Sequence, residues 1–340
     1  MILLYESNEI EFENNGLGGL SDAISCTVTE ERNGVFELEL QYPITGIHYG
    51  DIVKRRIVMA KPNPTGDPQP FRIYRMTKPI NGQITVYAEH ISYDLSGVPV
   101  SPFTAHSAVE AMANLKNNAA ITTPFVFWTD KSTIADMTVS VPSSTRALFG
   151  GQTGSILDVY GGEYEFDRFD VKLYSQRGQN RGVSIRYGKN LTDLTQEENI
   201  QNVYTGVYPY WYSDDDGLVT LSEKIVNANG TYDYDRVMPL DLSDEFEDMP
   251  EEDALRAAAQ SYMVRNNFGI PSISLSVSFV QLEQTEEYKG KALLERVSLC
   301  DTVNVEFPAL GVSATAKCVK TVYNVLLNRY DSVELGDART

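Results

Sequence analysis

Residues 85–95 read TVYAEHISYDL, and the interpretation of the whole chain starts from them. Polar and apolar side chains alternate from Thr85 to Glu89, which is the two-residue period of a half-buried β-strand. A similar stretch, YNVLLNRY, occupies residues 323–330. Neither stretch has the form of a catalytic loop. Both indicate strands of a scaffold, in a chain with few residues of the kinds that do chemistry.

Two β-hairpins are predicted in the first 95 residues. In the first, alternating segments at Cys26–Thr29 and Val35–Leu40 flank Asn33-Gly34, a dipeptide that favours a tight turn. The second covers residues 71–88 and has its turn at Asn81-Gly82. This opening region therefore indicates a small barrel or sandwich.

The first predicted helix begins after Ser107. Ser107 is a candidate N-cap, and Glu110 stands three residues later, as in a capping box. Val109, Met112 and Ala113 are the expected apolar face. We therefore expect a short helix packed on a neighbouring sheet.

The strongest helical pattern covers residues 250–266. Pro250 suits a first turn, and the acidic residues 251–253 complement the positive end of the helix dipole. The apolar side chains recur at helical spacing, at Leu255, Ala258, Ala259, Tyr262 and Met263.

A second β unit is predicted between these two helices. It begins with a short helix at residues 155–160 and a hairpin around Arg168. A third arm follows at residues 183–187, and a tyrosine-rich strand covers residues 203–211. The run Asp214-Asp215-Asp216-Gly217 lacks the ligand spacing of an EF-hand, so it predicts a solvated turn.

The composition excludes several protein classes. The 340 residues are 42% hydrophobic, yet no apolar run is long enough for a membrane-spanning helix. The first seven residues lack the basic start of a signal peptide, so we expect synthesis and folding in a cytoplasm. Cys26, Cys300 and Cys318 form no C-x-x-C pair, which favours buried free thiols.

The net charge of −19 argues against a specific nucleic-acid partner, because phosphate binding needs clustered Lys and Arg. An acidic run extends from Asp241 to Asp253. A solvated linker explains this run most simply. Alternatively, the acidity lets a polyanion pass without adhering.

The candidate catalytic residues are few. His90, between Glu89 and Asp94, is the best candidate for a general base. Its place at the end of a predicted strand favours a structural role instead. The sequence has no Gly-x-Ser-x-Gly or His-Glu-x-x-His motif. We therefore assign no catalytic, cofactor-binding or metal-binding residue, and we expect no cofactor.

A weak internal similarity links the two ends of the chain. Residues 301–305, DTVNV, parallel residues 51–54, DIVK. In each case a loop follows, then a strand that reaches a tyrosine (Tyr74 or Tyr323), then a hairpin return. This similarity suggests duplicated barrels. Alternatively, the terminal segments complete one domain together.

The ordered set of these segments resembles the hub proteins at the tail tip of long-tailed bacteriophages, the prophage endopeptidase tail or minor structural protein group. No single block is decisive, but the blocks follow one another in order along nearly the whole chain. The matching blocks are residues 26–43, 71–74, 86–95, 158–167, 186–191, 299–303 and 329–336.

This resemblance implies a mainly β fold with some helix (α+β), as a phage tail hub of several subdomains with two related small β-barrels. The expected parts are a ring domain at 1–103, either alone or completed by 300–340; a mixed part at 104–150; a second ring domain at 151–245; and a helix-plus-strand part at 246–299.

The resemblance further implies a homotrimer, because two barrels per chain would place six around a ring. The expected partners are the distal tail protein, the tape-measure protein and tip or fibre proteins. The expected location is the virion tail tip, as a baseplate hub component that is assembled in the host bacterial cytoplasm.

Some members of this group carry a C-terminal lytic domain. Residues 337–340 follow the Glu334-Leu335-Gly336 motif and leave no room for one, so we expect no enzyme activity unless the chain is a fragment. The alternative function is a peptidoglycan hydrolase that uses His90 and nearby carboxylates. A third option is a carbohydrate-binding tip module that uses exposed tyrosines.

Overall fold

The computed structural model describes residues 1–77, 81–186, 191–199, 203–230, 232–246, 248–266, 268–269, 272–279, 296–307 and 312–339. These residues form a mainly β structure with few helices, which confirms the mainly β character of the predicted fold class. The chain divides into two compact units. Unit 1 comprises residues 1–195 and 275–340, and unit 2 comprises residues 196–274.

Short strands connected by turns make up most of the described chain. The strands are β1 (Leu3–Tyr5), β2 (Gly18–Gly19), β3 (Ser25–Glu31), β4 (Phe36–Pro43), β5 (Ile57–Ala60), β6 (Gln69–Met76), β7 (Gln83–His90), β8 (Pro99–Val100), β9 (Phe103–Ser107), β10 (Val126–Thr129), β11 (Ile134–Val139), β12 (Ser143–Ser144), β13 (Glu163–Asp167), β14 (Asp170–Tyr174), β15 (Asn180–Arg186), β16 (Leu191–Asn199), β17 (Gly206–Ser213), β18 (Gly217–Thr220), β19 (Val226–Asn227), β20 (Val237–Asp241), β21 (Ser272–Phe279), β22 (Thr302–Phe307), β23 (Val312–Asn324) and β24 (Arg329–Arg339). The α-helices are α1 (Ala108–Asn117), α2 (Thr145–Phe149), α3 (Ile156–Tyr160) and α4 (Glu252–Arg265).

One long sheet joins the two ends of the chain. Its order runs β16-β21-β24-β23-β3-β4-β7-β6-β5-β1-β2, and β22 pairs with β23 and carries β15 on its other side. The central join is antiparallel and pairs Lys320–Asn324 of β23 with Thr27–Glu31 of β3. The first and last segments of the sequence therefore share one main-chain hydrogen-bond ladder.

The long sheet buries two separate hydrophobic cores. One lies under β1 and β3–β7 and includes Leu38, Leu40 and Val86. The other lies under β15 and β22–β24 and includes Val305 and Leu335. A third core in unit 1 packs α1, α2 and α3 against the neighbouring short strands. Unit 2 has its own core beneath α4.

The predicted hairpin turns are confirmed. Asn33, between β3 and β4, has φ +57°, and Asn81, before β7, has φ +54°. Both values lie in the left-handed region that Asn tolerates better than most residues. Arg168 also has a positive φ and joins β13 to β14. In each hairpin the turn residue therefore sits where the sequence places it.

The burial of α1 corrects one prediction. Ser107 caps the helix as expected, and its hydroxyl accepts a hydrogen bond from the Glu110 N–H at 3.2 Å. Met112 is buried as expected, but Val109 is 55% exposed and Ala113 is also exposed, so these two residues were wrongly assigned to the apolar face. The buried face instead consists of Ala108, Ala111, Met112 and Leu115. Two alanines, together with Met112 and Leu115, therefore form the buried face of α1, and Val109 does not belong to it.

The structure also clarifies two segments singled out in the sequence. Tyr49–Asp51 form a short 3-10 turn and β5 begins only at Ile57, so residues 51–54, which were compared with residues 301–305, are not part of a strand. The arm expected beside the hairpin at 164–174 is β15, which pairs in parallel with β22. The four-part division of the chain stays a prediction, and residues 280–295 of its helix-plus-strand part lie outside the described residues.

Candidate functional site

His90 is fully buried at the end of β7. Its Nδ1 accepts a hydrogen bond from the Ser92 N–H at 3.2 Å and lies 3.0 Å from Ser92 Oγ. Nε2 therefore carries the proton and donates to Gln69 Oε1 at 3.3 Å. The ring stacks on Phe36 with centroids 4.5 Å apart. Both nitrogens are satisfied inside an aromatic cluster.

The electrostatics of His90 favour the neutral imidazole. Burial lowers its pKa well below the ordinary value, and the nearby Arg146 guanidinium lowers it further. Of the flanking carboxylates, Asp94 is held by Arg72, whose Nε lies 2.8 Å from Oδ1. Ser92 is as fully buried as His90. A polymeric substrate therefore has no access to this Ser-His pair as it stands.

The other two histidines have separate partners. His48 Nδ1 lies 3.0 Å from Asp51, and His106 Nδ1 lies 2.7 Å from Asp136. His106 is exposed, and its hydrogen bond with Asp136 raises its pKa. No two histidines share a partner, so the fold does not assemble them into one site.

The three cysteines are free and buried, as predicted. Burial raises the pKa of the Cys26 and Cys300 thiols to about 12. It also raises the pKa of the Cys318 thiol well above its ordinary value. The thiolate is the reactive form of cysteine, so these side chains are unreactive near neutral pH.

A polar cleft of about 160 Å³ lies in unit 1, between β3, β13 and the segment before β22. It is a feature that the sequence did not single out, because its residues are distant along the chain. Its lining comprises Glu30, Asn63, Glu165, Arg177, Gln179, Arg181, Ser298, Leu299, Asp301, Thr321 and Tyr330.

Ion pairs cross the base of this cleft. Arg177 Nη2 lies 2.9 Å from Glu30 Oε1, and Arg181 Nε lies 3.4 Å from Asp301 Oδ2. Burial alone would lower the pKa of Arg177, but the surrounding negative groups, with Glu30 foremost, together outweigh burial and raise that pKa. Asp301 also accepts the Gln179 N–H at 2.8 Å. The first ion pair links β3 to the segment before β15, and the second links β15 to the residue before β22.

Glu163, at the start of β13, anchors a second part of this network. Lys317 Nζ lies 2.5 Å from its Oε1, and the Arg177 N–H donates to Oε2 at 2.8 Å. Burial would raise the pKa of Glu163, but these hydrogen bonds and the positive charges of Lys317 and Arg32 together outweigh burial and lower that pKa. A general acid needs a raised pKa, so this carboxylate is suited to fixing strands and not to donating protons.

The acidic segments of unit 2 are exposed and form local contacts. Asp216 closes the β17–β18 turn, where its N–H donates to Ser213 Oγ at 2.9 Å. Glu252 and Glu223 contact Ser222 and Arg256. Glu247 lies outside the described residues. Within the described chain, no group of three or more His, Cys, Asp and Glu side chains could hold a metal ion.

None of the helices that the structure describes has the length and apolar character needed to cross a bilayer.

Comparison with a protein-family model gives a match over residues 179–340, to the family described as "Prophage endopeptidase tail". Comparison with curated protein sequences gives no match. The match covers β15 to β24, and so includes all of unit 2 and the C-terminal strands of unit 1.

Comparison with solved structures extends the similarity to the whole fold. The chain is similar to prophage tail protein gp18 from Listeria monocytogenes, with 13% identity and a TM-score of 0.62, over 99% of this chain and 94% of that one. It is similar to the 43 kDa tail protein of prophage MuSo2 from Shewanella oneidensis, with 11% identity and a TM-score of 0.61, over 98% and 97%.

A tail protein from Neisseria meningitidis gives 9% identity and a TM-score of 0.57, over 92% of this chain and 91% of that one. At these identities the likeness establishes a common fold. Residues 179–340 thus match the model of the prophage endopeptidase tail family, and the chain shares the fold of these prophage tail proteins.

Proposed function

We propose that this chain is the structural hub at the distal end of a phage or prophage tail. In this role it forms a ring that joins the tail tube and distal tail protein to the tip. The observation that carries the proposal is the common fold with prophage tail proteins over almost the full length of both chains. The family match at residues 179–340 supports it independently.

The long sheet supports the idea of two related ring-forming units. In the N-terminal half, β5, β6 and β7 form an antiparallel meander, and in the C-terminal half β22, β23 and β24 form another. Each meander covers its own core. We propose that these halves are the two barrel-like elements, and that a homotrimer places six of them around a ring.

The location is tested by electron microscopy of intact tails. A small epitope tag at the exposed Gly151 would be labelled with gold-conjugated antibody. We expect label at the distal end of the tail, at the tip. Label along the tube, at the head-proximal end or absent from tails would contradict the proposal. Mass determination of the ring extracted from tails tests the trimer.

A peptidoglycan hydrolase is the second candidate, because the matching family description contains the word endopeptidase. The buried, neutral His90 and the unreactive thiols argue against activity from the described residues. A zymogram with purified peptidoglycan compares the wild type with His90→Ala. Clearing by the wild type that His90→Ala abolishes would favour the hydrolase, and no clearing by either protein is expected.

A further inference from the structure

The central strand of unit 2 has one covered face and one open face. On the covered face, Val207 and Trp211 of β17 pack into the core formed with Leu255 and Ala259 of α4. β17 pairs with β18 and β19 on one side and with β20 on the other. The alternate residues of this central strand therefore point away from α4.

Three tyrosines occupy these alternate positions. Tyr208 is 37% exposed and Tyr212 is 51% exposed, with Tyr210 between them. Leu218, opposite Tyr212 on β18, is 63% exposed. Pro239 stands beside Tyr208 on β20 and is also exposed. We call these five residues, Tyr208, Tyr210, Tyr212, Leu218 and Pro239, the tyrosine face.

Carboxylates fix two of the rings. The Tyr210 hydroxyl donates to Asp241 Oδ2 at 3.1 Å, and the Tyr212 hydroxyl donates to Asp214 Oδ1 at 3.1 Å. Asp241 is itself held by Ser243, whose N–H donates to Oδ1 at 3.0 Å. A carboxylate that accepts from a phenol increases the electron density of its ring, which strengthens attraction to a cation over the ring face. The rings are thus pre-oriented as well as electron-rich.

The charge around the face is strongly negative. Residues 196–274 contain sixteen acidic and four basic side chains, so unit 2 carries −12 of the total net charge of −19. Asp214, Asp215 and Asp216 form the turn that leads from β17 to β18. Neither Lys nor Arg occurs in β17, β18 or β20. The open face therefore has no cation of its own on these strands.

We propose that the tyrosine face binds a segment of a partner protein that is rich in Arg and Lys. Tyrosine rings give contact area at low entropic cost, the anchored carboxylates pair with guanidinium and ammonium groups, and the surrounding field attracts a basic chain. A nucleic acid would be repelled by the same field, and a neutral glycan would gain nothing from it. The inference does not depend on the position of the chain in a tail.

The probe is a synthetic fluorescent peptide of alternating Arg and Gly, titrated with the full chain and followed by anisotropy. We expect saturable binding that weakens with added salt. Tyr208→Ala and Tyr212→Ala should each lower the affinity roughly fivefold, since a cation–π contact is worth about 1 kcal/mol. Tyr74→Ala is the matched control, because Tyr74 lies on β6 in unit 1 and is 42% exposed. It should leave the affinity unchanged.

Two double variants distinguish the effect of the carboxylates bonded to the tyrosine face from the effect of the net charge of unit 2. The double substitution Asp214→Asn and Asp241→Asn removes two carboxylates bonded to the face. The double substitution Asp233→Asn and Asp235→Asn removes two exposed carboxylates that contact none of its tyrosines through a described hydrogen bond. The double substitution at Asp214 and Asp241 should lower the affinity for the peptide severalfold more than the double substitution at Asp233 and Asp235. Equal losses, no peptide binding, or tyrosine-dependent binding of neutral dextran would each overturn the proposal.

Discussion

His90 shows how burial decides the role of a titratable side chain. A histidine beside two acidic residues is a reasonable general-base candidate from sequence, but its strand position already favoured the structural role. The structure places the imidazole in a closed network with Ser92 and Gln69. The strand alternation predicts which face His90 occupies, whereas its partner Gln69 is on β6 and was not foreseeable.

The neutral state of His90 predicts a pH dependence of stability. Above pH ~6.5 the imidazole is neutral in both the folded and the unfolded chain, so it contributes no pH dependence to the free energy of unfolding. Below it, the unfolded chain takes up a proton that the folded chain, with its lowered pKa, does not. The free energy of unfolding should therefore fall by up to about 1.4 kcal/mol per pH unit from this group. His90→Gln should lose that slope in denaturant titrations between pH 7 and 5.

His106 is a suitable control because its contribution to stability should depend on pH in the opposite direction to that of His90. Its hydrogen bond with Asp136 raises its folded pKa, so its contribution is present at low pH and disappears as the pH rises through that value. The difference between wild type and His106→Gln should grow on acidification, while the difference for His90→Gln shrinks. A parallel trend for both variants would contradict the proposed protonation states.

Glu163 is expected to stabilise the fold through charge. Glu163→Gln leaves Lys317 without its carboxylate and should lower the free energy of unfolding by about 2 kcal/mol, less than for a fully buried pair because Lys317 is partly exposed. Thermal and denaturant unfolding at pH 7 measure the loss. Because the Glu163 pKa is lowered, the difference should vanish as the pH falls through that pKa.

The matched control is Glu31→Gln. Glu31 pairs with Lys320 on the same strand, β23, but both side chains are about one-third exposed. Exposed pairs contribute little, so this variant should lose no more than about 1 kcal/mol. Equal losses for the two variants would show that burial of Glu163 has no effect on the strength of its pair.

At the scale of elements, Asn33 has two structural roles in the turn between β3 and β4. Its left-handed backbone turns β3 into β4, and its amide binds the start of β13. The Nδ2 group donates to Gly162 O at 2.9 Å, and Oδ1 accepts the Tyr164 N–H at 2.8 Å. The sequence predicts the first role from the Asn-Gly pair, whereas the second requires the fold.

Two substitutions at this turn separate the roles. Asn33→Gly keeps the backbone relaxed but loses both hydrogen bonds, and should cost about 1–2 kcal/mol. Asn33→Ala should cost about 1 kcal/mol more, because a residue with a Cβ is strained at φ +57°. Urea unfolding of the two variants measures this order. A less stable Gly variant would contradict it.

The sequence predicts the individual strands and hairpins better than it predicts which distant strands pair with one another. Alternation and turn residues identify β3, β4, β6 and β7, because a hairpin pairs neighbours in sequence. The parallel pairings of β10 with β14 and β15 with β22 join distant segments, and no local pattern encodes them. The polar cleft was missed for the same reason, since its Arg177 and Glu30 come from different elements.

At the scale of the whole molecule, unit 2 is an insertion with a core of its own. It begins within β16, at Gln196, and ends within β21, at Ser274, and these two strands are neighbours in the long sheet. Replacing residues 200–271 by a short Gly-Asn linker should therefore leave the three cores of unit 1 intact. Circular dichroism and a cooperative thermal transition check this outcome. A chain without cooperative unfolding would contradict the independence of unit 1.

The join between β3 and β23 has a consequence for the order of events during synthesis. Thr27 pairs with Asn324, so its partner leaves the ribosome about 300 residues later. At roughly 5–20 residues per second, that edge of β3 waits about 15–60 s with its N–H and C=O groups unpaired. An unpaired edge accepts any extended strand, including one from a neighbouring nascent chain. Residues 320–324 thus complete the pairing of a strand, residues 27–31, that was translated about 300 residues earlier.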